Sequence, residues 1–255
     1  MTIIDQLITQ VLPVAESAHP VEICVGAHWT LVALRRRDGL CAGLSSTLSG
    51  SHGEHHQRGL PPVRQAGRLH TLSAPELVSL ARAESPLEAS IGMAALNALI
   101  DIDEAACRDV NAADVLAGRG EGRNVVIVGH FPFVPELRKK AGRLSVLELQ
   151  PGAGDLPASE APRVLPEADV VGLTGTSLLN GTFEGLMKLC APGAFVMLLG
   201  ATTPLSPLFF EIGVSAVAGT RVVDIEAARL AVSQGATFKQ IPGKRLLTLF
   251  DPQVG

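Results

Sequence analysis

The first hundred residues alternate short apolar runs with turn residues and then place apolar residues at helical spacing. Residues 3–12 are predicted to form a helix, and the runs at 21–26, 30–35 and 40–44 are predicted to form strands. Asp38-Gly39, between the last two runs, is a strong hairpin signal. Ser73 and Ser85 each begin a Ser-x-x-Glu sequence, which is typical of a capped helix start. The apolar residues that follow the second cap at helical spacing are Leu87, Ile91, Ala94, Ala95, Ala98 and Leu99.

From residue 125 onward, apolar runs alternate with helical segments. Strands are predicted at 125–128, 145–149, 169–174, 194–199 and 215–218, and helices at 134–141, 177–189 and 225–233, the last capped by Asp224. Strands that are apolar throughout and separated by helices are typical of a parallel sheet with both faces covered. The sequence therefore predicts an α/β fold: an α+β domain over 1–116, a glycine-rich linker over 117–124, and a Rossmann-like parallel-sheet domain over 125–255.

Composition narrows the class of protein without identifying it. Hydrophobic residues make up 47% of the chain and charged residues 18%, which is typical of a folded globular protein. No apolar run reaches the roughly 20 residues of a membrane-spanning helix, and the N-terminus lacks a signal-peptide pattern. A net charge of −4 argues against a nucleic-acid partner. We expect a cytoplasmic protein, with no membrane partner and with a homodimer as the default oligomeric state.

Small polar residues and glycines follow the predicted strands at their carboxyl ends, where open parallel sheets bind ligands. Each loop also has an ordinary explanation, since Gly, Ser, Thr and Asn are common in turns and helix caps. Their coincidence at one edge of the sheet nevertheless favours a ligand site. The predicted ligand-binding residues are Gly129, His130, Phe131, Pro132, Thr174, Gly175, Thr176, Asn180, Thr182, Gly200, Thr202, Thr203 and Pro204.

The first of these loops lacks the phosphate-binding glycines of a dinucleotide site. After Gly129 the chain continues His130-Phe131-Pro132-Phe133, which indicates a ligand that is smaller or less phosphorylated than a dinucleotide. Phe131 and Phe133 are interpreted either as an apolar wall of the site or as anchors in the core.

Glu148 is the candidate catalytic residue. It ends the second predicted strand about 20 positions after Gly129, the spacing at which an acidic residue bonds ribose hydroxyls in dinucleotide folds. That interpretation suits an adenosine-type ligand such as S-adenosylmethionine better than NAD. The alternative is a solvated glutamate at a strand end.

The stretch "SHGEHH" at 51–56 is the candidate metal-binding segment. His52, His55 and His56 are side chains of the kind that ligate transition metals. Their spacing is not that of an H-E-x-x-H helix, and a solvated loop is the alternative. Cys24, Cys41, Cys107 and Cys190 lack the paired spacing of a structural zinc site.

Five stretches carry a resemblance to a known family: "VGHFPF", "VLELQPGAGDLP", "ADVVGLTGTSLLNGTFEGLM", "LLGATTPLSPLFF" and "GVSAVAGTRVVD". The sequence resembles the putative heavy-metal chelation family, and the TGT-x-x-x-NGT pattern is the most specific part of the match. The resemblance implies an enolase-N-terminal-like domain followed by a Rossmann-like domain, with a site in the cleft between them. At 200–204 the chain departs from the family's Gly-Pro-Ser-x-Pro and reads Gly-Ala-Thr-Thr-Pro. The family positions in this chain are Gly129, Phe131, Pro132, Glu148, Thr174, Gly175, Thr176, Asn180, Thr182, Gly200 and Pro204.

The resemblance also implies a function in making or handling a small metal-chelating molecule. The ligand would be polar and anionic, with an adenosine-type cosubstrate such as S-adenosylmethionine and a transition metal bound through the chelate. Thr174, Thr176, Asn180 and Thr202 would then hydrogen-bond the ligand, and Glu148 would accept from its hydroxyls or act as a base. A non-catalytic carrier or sensor of a metal complex is the alternative, because no nucleophile and base pairing is evident in the sequence.

Overall fold

The computed structural model describes residues 1–49 and 61–254, and the chain divides into two compact units. The first unit contains residues 1–102 and 220–245, and the second contains residues 103–219 and 246–255. This division differs from the predicted one, in which the boundary lay at 116 and everything after 125 formed one domain. The predicted linker over 117–124 also includes the end of a helix and the start of a strand.

The first unit is an antiparallel sheet with helices. Its strands pair in the order β1-β2-β3, and β2 and β3 meet at Arg36 and Gly39, so the predicted Asp38-Gly39 hairpin is confirmed. The elements before residue 100 are α1 (Ile3–Ala15), β1 (His19–Val25), β2 (Trp29–Arg36), β3 (Gly39–Ser46), α2 (Ala74–Ser79) and α3 (Pro86–Leu99).

Residues 220–245 belong to the first unit because of the helix that they contain, α9 (Ile225–Ser233), which Asp224 caps as predicted. Its buried residues Ala228 and Val232 form one apolar cluster with Leu31 and Ala33 of β2. Side chains alternate across a strand, and Gly43 of β3, between Ala42 and Leu44, lies against α3, since a Cβ there would be 2.3 Å from the Ala94 carbonyl oxygen. The three-stranded sheet is therefore covered on both faces, one of them by a helix from late in the chain.

Helix α3 begins with the predicted cap at Ser85, but the acidic residue of that cap has a different partner. The Ser85 side chain accepts a hydrogen bond from the Glu88 N–H. The Glu88 carboxylate, 3% exposed, accepts instead from the backbone N–H of Arg64 at 2.8 Å and from its Nη2 at 2.9 Å. Burial extends around most of α3, whereas the sequence predicted a single apolar face.

We expect the contact between Glu88 and Arg64 to make the stability of the fold depend on pH in the acid range. Burial raises the pKa of Glu88, but the hydrogen bonds and charge of Arg64 outweigh it and hold the pKa below its ordinary 4.5. Ionised Glu88 therefore stabilises the fold above about pH 4.5, and the contribution is lost as the pH falls through the folded pKa. Thermal unfolding between about pH 6 and pH 3 should show a smaller loss of Tm in Glu88→Gln than in wild type. Equal losses of Tm in Glu88→Gln and in wild type would contradict this assignment of the pH dependence to Glu88. The same reduced loss in Glu16→Gln, a control at an exposed glutamate, would contradict it too.

The second unit contains a parallel-rich sheet. Eight strands pair in the order β4-β11-β10-β9-β8-β5-β6-β7. Neighbours from β10 to β7 are parallel, and β11 is antiparallel to β4. The elements are β4 (Cys107–Arg108), α4 (Ala112–Arg119), β5 (Asn124–Val128), α5 (Val134–Lys140), β6 (Arg143–Glu148), β7 (Leu156–Pro157), α6 (Ala161–Val164), β8 (Val170–Thr174), α7 (Thr176–Leu179), α8 (Phe183–Leu189), β9 (Phe195–Leu199), β10 (Ala216–Val222) and β11 (Lys244–Phe250).

Two predicted elements of this unit have different bounds in the structure. The helix predicted at 177–189 is two helices, α7 and α8, separated at Asn180-Gly181-Thr182, where Gly181 has a φ of +70°. The last parallel strand, predicted to end at residue 218, continues to Val222. The chain order reverses beside β5, which has β6 on one side and β8 on the other. In sheets of this kind, the carboxyl ends next to such a reversal are where ligands bind.

Within residues 1–49 and 61–254, no helix is long and apolar enough to cross a bilayer.

Candidate functional site

The loops that follow β5, β8 and β9 are in close contact at the carboxyl edge of the sheet. A Cβ placed on Gly129, after β5, would lie 2.9 Å from the Cβ of Thr174 at the end of β8. A Cβ on Gly175, after β8, would lie 2.4 Å from Oγ1 of Thr203, in the loop after β9. The two glycines thus allow three loops to meet, as the sequence analysis expected.

Thr174 and Thr176 form a pair of hydroxyls at the end of β8. Their Oγ1 atoms are 3.0 Å apart, and both residues are half-buried. The neighbouring Ser177 is buried, and its hydroxyl donates to the Thr174 carbonyl oxygen at 2.7 Å. The pair is therefore held in a fixed arrangement while remaining partly accessible.

The other predicted polar residues of these loops divide into an exposed group and a buried group. Asn180 and Thr182 are exposed, and the Asn180 Oδ1 accepts from the Thr182 hydroxyl at 2.7 Å. Thr202 and Thr203 are each 2% exposed, and Pro204 is buried beside them after Gly200. Ligand contact by Thr202 and Thr203 stays a prediction, and their burial favours a role in shaping the loop.

Glu148 fastens the loop after β5 to the loop after β6. Its Oε1 accepts from the His130 N–H at 2.7 Å, and its Oε2 accepts from the Leu149 N–H at 2.9 Å. Both oxygens thus already bind backbone groups. Its predicted role as a base or a ribose acceptor is untested by this geometry, which assigns it a structural task.

The side chain of His130 is paired with a carboxylate that the sequence analysis did not select. Its Nδ1 lies 3.2 Å from Oδ2 of Asp155, and the same oxygen accepts from the Gly152 N–H at 3.1 Å. The Asp155 side chain is 5% exposed and that of His130 is 59% exposed. A single aspartate in a Gly- and Pro-rich loop carries no sequence signal of burial, and only the contact identifies it.

The aromatic residues beside His130 pack inward. Phe131 and Phe133 stack with ring centroids 5.1 Å apart and an interplanar angle of 18°, and both pack against the core of the second unit. Both are half-buried, so the structure shows packing against the core, and a part in an apolar wall of the site stays a prediction. Pro132, between them, is exposed.

The described residues contain no group of three or more His, Cys, Asp or Glu side chains that could hold a metal ion. The candidate ligands His52, His55 and His56 lie outside those residues. The four cysteines are half-buried thiols outside any disulfide, and burial raises the pKa of the Cys41 and Cys190 thiols to about 11. These two thiols are therefore poor metal ligands and nucleophiles near neutral pH.

The fold and this edge define a class: a mixed α/β protein with a parallel-rich sheet and polar loops at its carboxyl edge. Residues 111–250 match the DUF364 family model and residues 9–100 match the DUF4213 family model, both described as putative heavy-metal chelation. The first match alone spans more than half of the chain. The chain belongs to the putative heavy-metal chelation family.

The chain is also similar to individual proteins in sequence and in fold. An uncharacterized protein from Methanocaldococcus jannaschii is 29% identical over 164 residues, which are 61% of this chain and 62% of that protein. The crystal structure of a DUF364 family protein of unknown function from Pyrococcus horikoshii has a TM-score of 0.81 at 19% identity, covering 98% of this chain and all of that one. A DUF364 structure from Desulfitobacterium hafniense DCB-2 has a TM-score of 0.80 at 24% identity, covering 98% of each chain. Both structures support the fold.

Proposed function

We propose that this protein binds a small anionic metal chelator, or its metal complex, at the carboxyl edge of the parallel strands. The hydroxyl pair of Thr174 and Thr176 carries the proposal, because it is fixed, half-buried and next to the reversal of strand order. Hydroxyls at such a position can donate to carboxylate oxygens of a ligand. The family description supplies the chemical theme, heavy-metal chelation.

The proposal includes a Rossmann-like architecture for the parallel strands. The six parallel strands lie in the order β7-β6-β5-β8-β9-β10, which is 3-2-1-4-5-6 when they are counted along the chain, one of the two common doubly wound orders. For the first unit we propose an enolase-N-terminal-like fold. Its support is the family resemblance, together with a three-stranded antiparallel sheet followed by helices.

Binding, in the manner of a carrier or sensor, is proposed in preference to catalysis. Glu148 was the candidate base, and both its oxygens accept backbone N–H groups. The proposal rests on the hydroxyl pair and the family description alone, so S-adenosylmethionine and other adenosine-type cosubstrates are left outside it. The chelated metal is treated as cargo, since the described residues form no metal cluster of their own.

Calorimetry with nitrilotriacetate, with and without bound Zn²⁺, tests the proposal on the full chain. The double variant Thr174→Val and Thr176→Val removes two hydroxyls with little change of shape. We expect it to bind at least about tenfold more weakly, the effect of losing hydrogen bonds to a charged group. Thr71→Val, which removes an exposed hydroxyl bonded to the Arg68 carbonyl, is the control. No binding by wild type, or equal binding by the double variant, would overturn the proposal.

A further inference from the structure

The loop that carries His130 is fastened at three points around an exposed ring. The His130 backbone N–H donates to Glu148, the next residue Phe131 packs against the core, and Nδ1 of the ring contacts Asp155. The ring itself remains 59% exposed. An exposed side chain on a loop is usually free to change rotamer. The contact of Nδ1 with Asp155 holds the His130 ring in one orientation instead.

The contact with Asp155 also determines which ring nitrogen carries the proton. An ionised carboxylate can only accept hydrogen bonds, so Nδ1 must be the donor in this pair. In the neutral imidazole, Nε2 then carries the lone pair. Within the part of the chain that the structure describes, no hydrogen bond is made to Nε2. On a side chain that is 59% exposed, Nε2 is therefore an electron-pair donor held in one orientation.

Stability alone is a poor explanation of this arrangement. An ion pair or hydrogen bond with an exposed partner contributes roughly 0–1 kcal/mol. The Asp155 side chain, in contrast, is 5% exposed, and burying a carboxylate carries a desolvation cost. A buried carboxylate behind an imidazole is, however, the usual way in which proteins orient a histidine that ligates a metal.

We propose that Nε2 of His130 ligates the metal of a chelate bound at this edge, and that Asp155 is the residue that positions the ring. The inference rests on the proposed function and names the group that recognises the metal. Imidazole suits Zn²⁺, Cu²⁺ and Ni²⁺. The chain supplies one ligand and the chelator supplies the others, which agrees with the absence of a cluster of three ligating side chains in residues 1–49 and 61–254.

The test is a site-resolved measurement of the histidine rings in the full-length ¹⁵N-labelled protein. Two-bond ¹H–¹⁵N spectra distinguish Nδ1 from Nε2, and His130→Gln assigns the signals. The free protein should show the Nδ1–H tautomer of His130. Zinc nitrilotriacetate should shift the Nε2 signal of His130, whereas metal-free nitrilotriacetate should leave it unchanged.

Variants then separate positioning from ligation. His130→Gln should abolish the extra affinity that zinc gives to the chelator, and Asp155→Asn should weaken zinc nitrilotriacetate binding about 10–100-fold, the usual cost of losing such a partner. Asp155→Asn should also mix the two tautomers of His130. His70→Gln, at another exposed histidine, is the control and should bind as wild type does.

The outcomes distinguish the two proposals. If zinc nitrilotriacetate binds His130→Gln as tightly as wild type, or shifts only other histidines, the inference is wrong and the proposed function stands. If wild type binds neither form of the chelator, the proposed function fails. If the Thr174 and Thr176 variant binds as wild type does, the proposed function is overturned, whatever the result for His130→Gln. His130 is exposed, so its substitution is expected to leave the fold intact.

Discussion

Replacing Gly92 with alanine should lower the free energy of unfolding by about 3 kcal/mol. Gly92 lies inside α3, where a Cβ would be 1.9 Å from the backbone nitrogen of Ala81 and 2.4 Å from the carbonyl carbon of Leu80. Backbone atoms cannot rotate away as a flexible side chain can, so α3 or the 80–82 segment must shift. Glycine inside a helix costs roughly 0.5–1 kcal/mol relative to alanine, and here the close approach offsets that cost.

Chemical denaturation followed by circular dichroism and by Trp29 fluorescence measures this effect. Trp29 is the single tryptophan and lies on β2, so its signal reports the first unit. Gly118→Ala is the matched control: Gly118 lies inside α4 and a Cβ there would meet nothing within 4 Å. The control should be as stable as wild type or up to about 1 kcal/mol more stable. Equal stability of Gly92→Ala and wild type would show that α3 does not lie in close contact with the backbone of Leu80 and Ala81.

Replacing Gly175 with alanine should damage the candidate site more than the fold. Gly175 has a φ of −60° and a ψ of −19°, which alanine adopts without strain, so any loss of stability must come from the contacts of the added Cβ. That atom would lie 2.4 Å from Oγ1 and 2.8 Å from N of Thr203. The loops after β8 and β9 must therefore separate, at a cost of roughly 1–3 kcal/mol, and Thr174 and Thr176 must move with them.

We expect zinc nitrilotriacetate to bind Gly175→Ala at least about tenfold more weakly than wild type, since the displaced hydroxyls no longer meet the ligand together. Calorimetry gives the affinity, and thermal unfolding gives the change in stability. Gly185→Ala is the control, because Gly185 lies in α8 and a Cβ added there would have nothing within 4 Å. If Gly175→Ala is folded and binds with unchanged affinity, the contact between the loops after β8 and β9 is not required for binding.

Local patterns predicted most of the secondary structure because the determining residues lie close together in sequence. Asp224 followed by an apolar helical pattern predicted α9 with its correct bounds, 225–233. The break between α7 and α8 also had a local signal, Asn180-Gly181, that the prediction did not use. The sequence pattern of α9 did not predict which sheet covers its apolar face. The residues that α9 packs against in the first unit lie some 190 residues earlier in the chain.

The sequence predicted the position of the candidate site better than the contacts within it. Strand ends could be located from sequence, so Gly129, Thr174 and Gly175 were correctly expected to lie at one edge. The partners of charged groups could not be located, because pairing depends on loop conformation. The backbone partners of Glu148 and the contact of Asp155 with His130 were therefore not predicted, and the chemical role of Glu148 stays a prediction.

The division of the first unit between residues 1–102 and 220–245 has a consequence for biosynthesis. A ribosome releases the β2 and β3 segments well before it translates α9, whose side chains complete the cluster around Leu31, Ala33, Ala42 and Leu44. At ordinary elongation rates, that apolar surface waits on the order of ten seconds for its cover. The nascent polypeptide thus depends on residues 220–245 to cover the sheet of β1, β2 and β3, and a polypeptide terminated before them would expose this apolar surface.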